Sequence, residues 1–269
     1  MQRGWGLMPD WDRKHGFDLH GKRALVVGAG NPAGRAIALA LAEAGADVAI
    51  ASATLDGDEV MAAKRISQEV VKAGRASFAQ GWDVSLPTNV QVGMKQLVKE
   101  FGNPTILVYN GDAPLWKPVE QTSDADFARV HQVNLAGAFY AARSFVRELT
   151  DESPGRLIFV NSIFGDRGID HGVAYGAAKA GVVGLMLGLS QELGARNTTA
   201  NCISLGWMDW TPGRGPDEIG QNLLMRYIPM RRFGRGDDVG ALAVLLASDA
   251  AGYLSGQVFH VDGGVTTHL

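Results

Sequence analysis

A single cysteine in 269 residues, Cys202, excludes an internal disulfide framework, and its apolar surroundings fit a reducing compartment. No long Lys/Arg run is present, and 25 basic residues are set against 28 acidic ones for a net charge of -3. Without a broad positive field, neither nucleic acid nor an anionic membrane is an expected partner. No eighteen apolar residues run together, and the first ten lack an apolar core of signal-peptide length. The six His fall at no metal-ligand spacing, so no catalytic metal is expected. The expectation is a soluble, cytoplasmic protein acting on a small molecule. What the chain does have is 46% hydrophobic residues, enough to bury a substantial core in one domain.

Short apolar runs alternate with helix-forming stretches. Arg23-Ala-Leu-Val-Val leads through Gly28, Gly30, Asn31, Pro32 and Gly34 into the helix former Arg35 to Gly45. A tight glycine turn between strand and helix lets backbone N–H groups approach a pyrophosphate. Further runs at 47–51, 78–84, 105–109, 156–162, 199–206 and 256–264 predict an α/β fold. A capped start at Ser123 with acids behind it predicts one long helix to about Leu149, carrying Asn134 in an apolar neighbourhood. Residues 1–18, with Trp5, Trp11 and His15, read as an N-terminal extension before a domain at 19–269. The apolar and Gly/Pro-rich stretch at about 207–235 reads as a substrate flap.

Ser162, Tyr175 and Lys179 stand thirteen and then four residues apart. Four residues are about one helical turn, which puts the Lys ammonium and the Tyr ring on one face. A free phenol has a pKa of about 10. A fixed cation beside it favours the phenolate, so the spacing predicts a Tyr175 brought into the working range of a general acid or base.

With the glycine turn upstream and Ser162 ending an apolar run, the chain resembles the short-chain dehydrogenase/reductase family from about Leu19 to Gly264. The resemblance implies a doubly wound Rossmann sheet of about seven mostly parallel strands with helices on both faces. It also implies hydride transfer between a nicotinamide and an alcohol or ketone. In that reading Tyr175 moves the hydroxyl proton, Ser162 polarises the oxygen, Lys179 bonds the ribose and Asn134 holds a relay water. The cofactor residues it implies are Gly28, Gly30, Asn31, Gly34, Ser52, Asp83, Val84, Asn110, Tyr175, Lys179, Gly206 and Thr211. The resemblance also implies a homo-oligomer, a tetramer or dimer, in which the helix bearing Tyr175 and the one bearing Asn134 pair with symmetry mates; the Gly-rich face of the Tyr175 helix agrees with that.

Four places depart from the family pattern. Val27 and Pro32 alter the glycine turn, Tyr109 and Asp112 alter Asn-Asn-Ala-Gly, Leu205 replaces a Pro, and Trp210 stands where a Thr is usual, with Thr211 next. After the second strand neither an acid nor a base follows; Ser52 and Thr54 could donate to a 2′-phosphate, which favours NADP(H) slightly over NAD(H). His171, in the loop between Ser162 and Tyr175, reads as solvated rather than as a substrate contact. The expected substrate is a moderately hydrophobic secondary alcohol or ketone, cyclic or 3-oxoacyl. Three rivals stay open: an inactive dinucleotide-binding regulator or scaffold, a halohydrin dehalogenase, and a carbon–carbon double-bond reductase.

Overall fold

The computed structural model describes residues 16–150, 154–211 and 218–267. Trp5, Trp11 and His15 of the N-terminal extension and the centre of the flap, 212–217, lie outside the described residues. The apolar runs form β1 (Arg23–Val27), β2 (Asp47–Ala51), β3 (Ser77–Gln80), β4 (Ile106–Tyr109), β5 (Arg156–Ser162), β6 (Thr199–Leu205) and β7 (Val258–Val261). Between and after them come α1 (Pro32–Glu43), α2 (Gly57–Lys72), α3 (Pro87–Phe101), α4 (Asp124–His131), α5 (Gly137–Glu148), α6 (Phe164–Arg167), α7 (Val173–Leu193), α8 (Glu218–Met225) and α9 (Asp237–Ala247).

All seven strands are parallel neighbours in the order β3-β2-β1-β4-β5-β6-β7. Both sheet faces are covered, which is why the strands read as unbroken apolar runs rather than as alternation. Ala24 and Val26 pack with Ile37 and Leu41 of α1 and Leu246 of α9, while Leu25 and Val27 pack with Met94 of α3, Phe145 of α5 and Met186 of α7. Each large apolar side chain buried this way contributes about 1.5–3 kcal/mol. The strand order reverses between β1 and β4. A crevice opens there at the carboxyl ends of the strands, and the site described below lies in it.

Helix starts follow local chemistry. Asn31 caps α1 by accepting from Gly34 N, and Pro32 takes the first helical position, where its missing N–H costs no bond. Ser123 and Asp126 form a capping box on α4.

Two expectations need correction. The long helix expected from Ser123 to Leu149 is broken by a π-helical turn at Gln132–Ala136, between α4 and α5. That turn contains Asn134, and such bulges re-aim side chains at functional sites. The third strand is shorter than expected, ending at Gln80, because Trp82 leaves the ladder to bury its ring in the second core. The stretch Val173–Arg196 is long and apolar enough to cross a membrane. It packs against β5 and β6, however, and turns Tyr175 and Lys179 into the protein.

Candidate active site

Three elements meet at the crevice. The end of β5 presents Ser162, and the first turns of α7 bring Tyr175 and Lys179 in beside it, all three buried. The loop after β4 contributes Asp112. Tyr175 Oη donates to Asp112 Oδ1 at 2.7 Å, and Lys179 Nζ lies 3.0 Å from the same oxygen. The Lys179 ammonium is 5.3 Å from the centroid of the Tyr175 ring, so the two groups share a helix face as their spacing predicts.

Asn134 reaches this group through the backbone beside Asp112. Its Nδ2 donates to Ala113 O (3.0 Å) and Val130 O (2.9 Å), and its Oδ1 accepts from Ala113 N at 3.4 Å. The side chain thus clamps the peptide next to Asp112. Tyr109 turns inward and donates to Val133 O at 2.5 Å inside the π turn. A Cβ on Gly111 or Gly137 would collide with its hydroxyl, so these two glycines and Tyr109 fit as a set. Tyr109 therefore belongs to the core beneath the site rather than to the cleft wall.

The electrostatics reverse one sequence expectation. Burial, then the Asp112 charge and the hydrogen bond to Asp112, hold the Tyr175 phenol well above its ordinary pKa, and only the Ser162 hydroxyl works in the other direction. The ammonium of Lys179 is paired with the same carboxylate. In this arrangement Tyr175 is a neutral phenol at physiological pH, able to give a proton outward and to pass one to Asp112. The spacing of Tyr175 and Lys179 could not disclose an anion arriving from another strand.

The wall around Tyr175 is aromatic. Trp116 packs edge-on to Phe164 (5.5 Å between centroids) and to Tyr175 (5.6 Å), and Phe164 packs on Trp207 at 4.8 Å. Met208, Trp210 and Thr211 line the same cavity, with Gly206 beneath them. Thr211 Oγ1 accepts from Met208 N at 3.0 Å, which ties the start of the flap to the cavity. Gly206 abuts Asp262, and a Cβ there would fall 2.5 Å from the Asp262 Cα. Asn161, just before Ser162, lines the cavity with both amide atoms buried and without a hydrogen-bond partner. Such an orphaned amide in a cleft fits a polar ligand group. His171 adopts a left-handed φ of 59° with its side chain exposed, as expected of a solvated loop residue.

The cofactor side is built by close approach. Gly28, at φ 77°, would drive a Cβ into the Asn110 carbonyl, and a Cβ on Gly34 would meet Ala29, Asn110 and the Gly28 carbonyl at 2.6–2.8 Å. Asn110 Nδ2 donates to Gly28 O (2.7 Å) and to Asn31 Oδ1 (2.8 Å), pinning the turn to β4. Gly30 faces the neighbouring cleft with Gly28, Asn31, Ala53, Glu59 and Asn110. A backbone cradle at a helix N-terminus, leading to a cavity with an orphaned amide, fits a dinucleotide.

Other expected contacts are placed differently. Ser52 is buried, donates to Thr54 O at 2.6 Å and accepts from Trp82 N at 3.0 Å, so its hydroxyl is not free for a phosphate. Asp83 Oδ1 is held by Ser85 N and Oγ, and Val84 is buried in the second core. Glu59 escaped the sequence reading, although it stands at the third position of α2 behind the cap Asp56, where an acid that folds back over the helix start is expected.

A parallel sheet with a glycine cradle on one side of its switch point and a buried Ser–Tyr–Lys group on the other defines a nicotinamide-dependent oxidoreductase of the Rossmann type. The comparisons with known proteins agree. A family model described as enoyl-(acyl carrier protein) reductase matches residues 28–266. D-Threitol dehydrogenase of Mycolicibacterium smegmatis is 34% identical over 99% of both chains. The 3-oxoacyl-(acyl-carrier-protein) reductase FabG of Staphylococcus epidermidis is 32% identical over 91% of this chain and 98% of its own. A gluconate 5-dehydrogenase of Burkholderia cenocepacia, solved with NADP and tartrate, superposes with a TM-score of 0.87 at 26% identity, covering 94% of this chain and 98% of its own. The chain belongs to the short-chain dehydrogenase/reductase family, and its relatives support a working oxidoreductase rather than an inactive scaffold.

Proposed function

We propose that the protein interconverts a secondary alcohol and its ketone, with Tyr175 as general acid and base and Asp112 as the group that exchanges Tyr175's proton. The observation that carries this reading is the single Asp112 oxygen bonded to both Tyr175 Oη and Lys179 Nζ. Bound along the crevice, a nicotinamide supplies the hydride chemistry. Gly28, Gly30, Gly34, Asn31 and Asn110 would hold its phosphates, and Lys179 and Asn161 its nicotinamide half.

The chain's own residues then do the following. Ser162 bonds the substrate oxygen and holds it against Tyr175. In reduction, Tyr175 gives its proton to the carbonyl oxygen as charge develops there. In oxidation the alcohol proton moves to Tyr175 Oη while the phenol proton moves to Asp112 Oδ1. Asp112, its side chain 31% exposed, returns that proton to water. Lys179 balances the carboxylate in the state without the proton. Asn134 positions Asp112 through the Ala113 peptide.

Trp116, Phe164, Met208 and Trp210 favour a substrate with an apolar flank, such as a cyclic or 3-oxoacyl ketone. The polyol and sugar-acid names of two relatives place hydroxylated ketones in the same test. Reduction of a carbon–carbon double bond is disfavoured by the thirteen-residue step from Ser162 to Tyr175. The test is a panel of cyclic ketones, 3-oxoacyl thioesters and polyols, followed through absorbance of the reduced nicotinamide. Turnover of at least one ketone that depends on Tyr175 is the expected result. No turnover of any, or turnover indifferent to Tyr175, overturns the reading.

The solved relative above holds NADP, and the sequence lean toward NADP(H) rested on the lack of an acid after β2. In space an acid is there: Glu59 accepts from Ala53 N and Thr54 N at the end of β2. A homo-oligomer is part of the same proposal. Val173, Ala177, Ala180, Gly184 and Leu187 form an exposed apolar stripe along α7, and a second copy would cover it. Sedimentation should show a dimer or tetramer, and a monomer at micromolar concentration would refute it. A cytoplasmic location remains our reading, supported by a single cysteine, Cys202, buried and without a disulfide partner.

A further inference from the structure

We propose that Glu59 makes this protein select the dinucleotide without a 2′-phosphate, NAD(H), by filling from within the anion site that a 2′-phosphate would need. The proposal rests on reading the cleft over the glycine turn as the adenosine-ribose site.

After β2 the chain turns through Ser52, Ala53 and Thr54, and the backbone N–H groups of Ala53 and Thr54 converge. Converging backbone N–H groups at the end of a strand form a natural cradle for an anion. Here the anion is internal, because Glu59 Oε2 accepts from Ala53 N at 3.1 Å and from Thr54 N at 2.9 Å. Glu59 is held in place from its own side as well. It lies in the first turn of α2, and the cap residue Asp56 accepts from the Glu59 N–H through Oδ1 at 3.3 Å. The carboxylate stands over the glycine turn, since a Cβ on Gly30 would come within 3.6 Å of the Glu59 Cγ. Glu59, Gly28, Gly30, Asn31 and Ala53 line one cleft.

Of the other donors here, the Ser52 hydroxyl and the Arg35 guanidinium are committed elsewhere. The Ser52 hydroxyl donates to Thr54 O at 2.6 Å, while the Thr54 hydroxyl oxygen accepts from Asp56 N at 3.2 Å, so of these two hydroxyls only Thr54 keeps a proton to donate. Arg35, the first cation after the glycine turn, is paired with Glu69 at 2.5 Å across α1 and α2. A 2′-phosphate would therefore meet a carboxylate, with the two backbone donors already spent. A ribose 2′-hydroxyl instead finds an acceptor, because Glu59 Oε1 is not used in either of these bonds. An acid in this part of such folds accepts from the ribose hydroxyl, and here a helix supplies it rather than the strand end. This proposal runs opposite to the slight sequence inclination toward NADP(H).

The test is equilibrium titration of the full-length protein with NADH and with NADPH, read by nicotinamide fluorescence without substrate, for the wild type, Glu59→Gln and Glu59→Ala. The wild type should bind NADH on the order of tenfold to a hundredfold more tightly than NADPH. Glu59→Gln removes the charge and keeps an acceptor, so the ratio should fall by about tenfold. Glu59→Ala also frees the Ala53 and Thr54 donors and should bring NADPH level with NADH or ahead of it. If the wild type binds NADPH as tightly as NADH, or if both variants keep the wild-type ratio, the proposal is overturned while the dinucleotide site stands. If neither dinucleotide binds the wild type, the reading of the cleft fails and takes the proposal with it.

Discussion

Glu59 and Asp112 are two carboxylates that enter one crevice from opposite sides of the switch point, and they do different work there. Glu59 comes from a helix start and is satisfied by two backbone N–H groups, so its negative charge is fixed toward the cleft. Asp112 comes from a loop and is satisfied by a phenol and an ammonium, groups whose protons take part in chemistry. The first kind of partner gives selectivity in binding, and the second gives a path for a proton. Residue type alone would not separate them; the partners do.

The comparison can be broken in order of expected effect. Tyr175→Phe should reduce turnover by about 10²–10⁴-fold while NADH affinity changes little, measured by steady-state rates beside fluorescence titration. Retained turnover would leave Asp112 without a proton to exchange. Asp112→Asn should lower turnover by on the order of tenfold to a hundredfold and also change the Tyr175 titration. The Asp112 charge and hydrogen bond both raise the Tyr175 pKa, so their removal should let tyrosinate form at lower pH, with the contribution of burial remaining. Ultraviolet difference titration, with Tyr175→Phe as the blank, reads this without any substrate. The NADH to NADPH ratio should stay unchanged in Asp112→Asn and shift in Glu59→Gln; a ratio that moves equally in both would erase the distinction drawn above.

The smallest effect concerns the loop that leads to the site. The Lys117 side-chain hydrogen bond, followed by those from Ser123, holds the Asp126 carboxyl at about 2. Because the folded pKa lies below the unfolded value of about 4, Asp126 contributes stability above that pH and loses it as pH falls through about 2. Asp126→Asn should flatten the acid side of the stability profile between those values, as followed by thermal unfolding against pH. An unchanged slope would show that the Lys117 pair is too well solvated to matter.

Much of this architecture is legible in the chain because its signals are local. An apolar run, a glycine turn and a helix former make one unit, and covering both sheet faces makes every strand read as apolar throughout. Tyr175 and Lys179 share a face because four residues make about one helical turn. The π turn at Gln132–Ala136 was not legible, since it depends on the Tyr109 hydroxyl reaching Val133 O from another element. Ser52 looked available as a donor, but its hydroxyl donates to Thr54 O while Trp82 N, thirty residues on, donates to its oxygen and holds it buried.

The sequence by itself therefore determined the order of strands and helices, the glycine cradle and the face that carries Tyr175 and Lys179, all set by interactions a few residues long. Tertiary structure alone decided the charges around them. It set Asp112 between the phenol and the ammonium, and it set Glu59 against the end of β2. Electrostatic energy depends on distance in space, and separation along the chain does not report it.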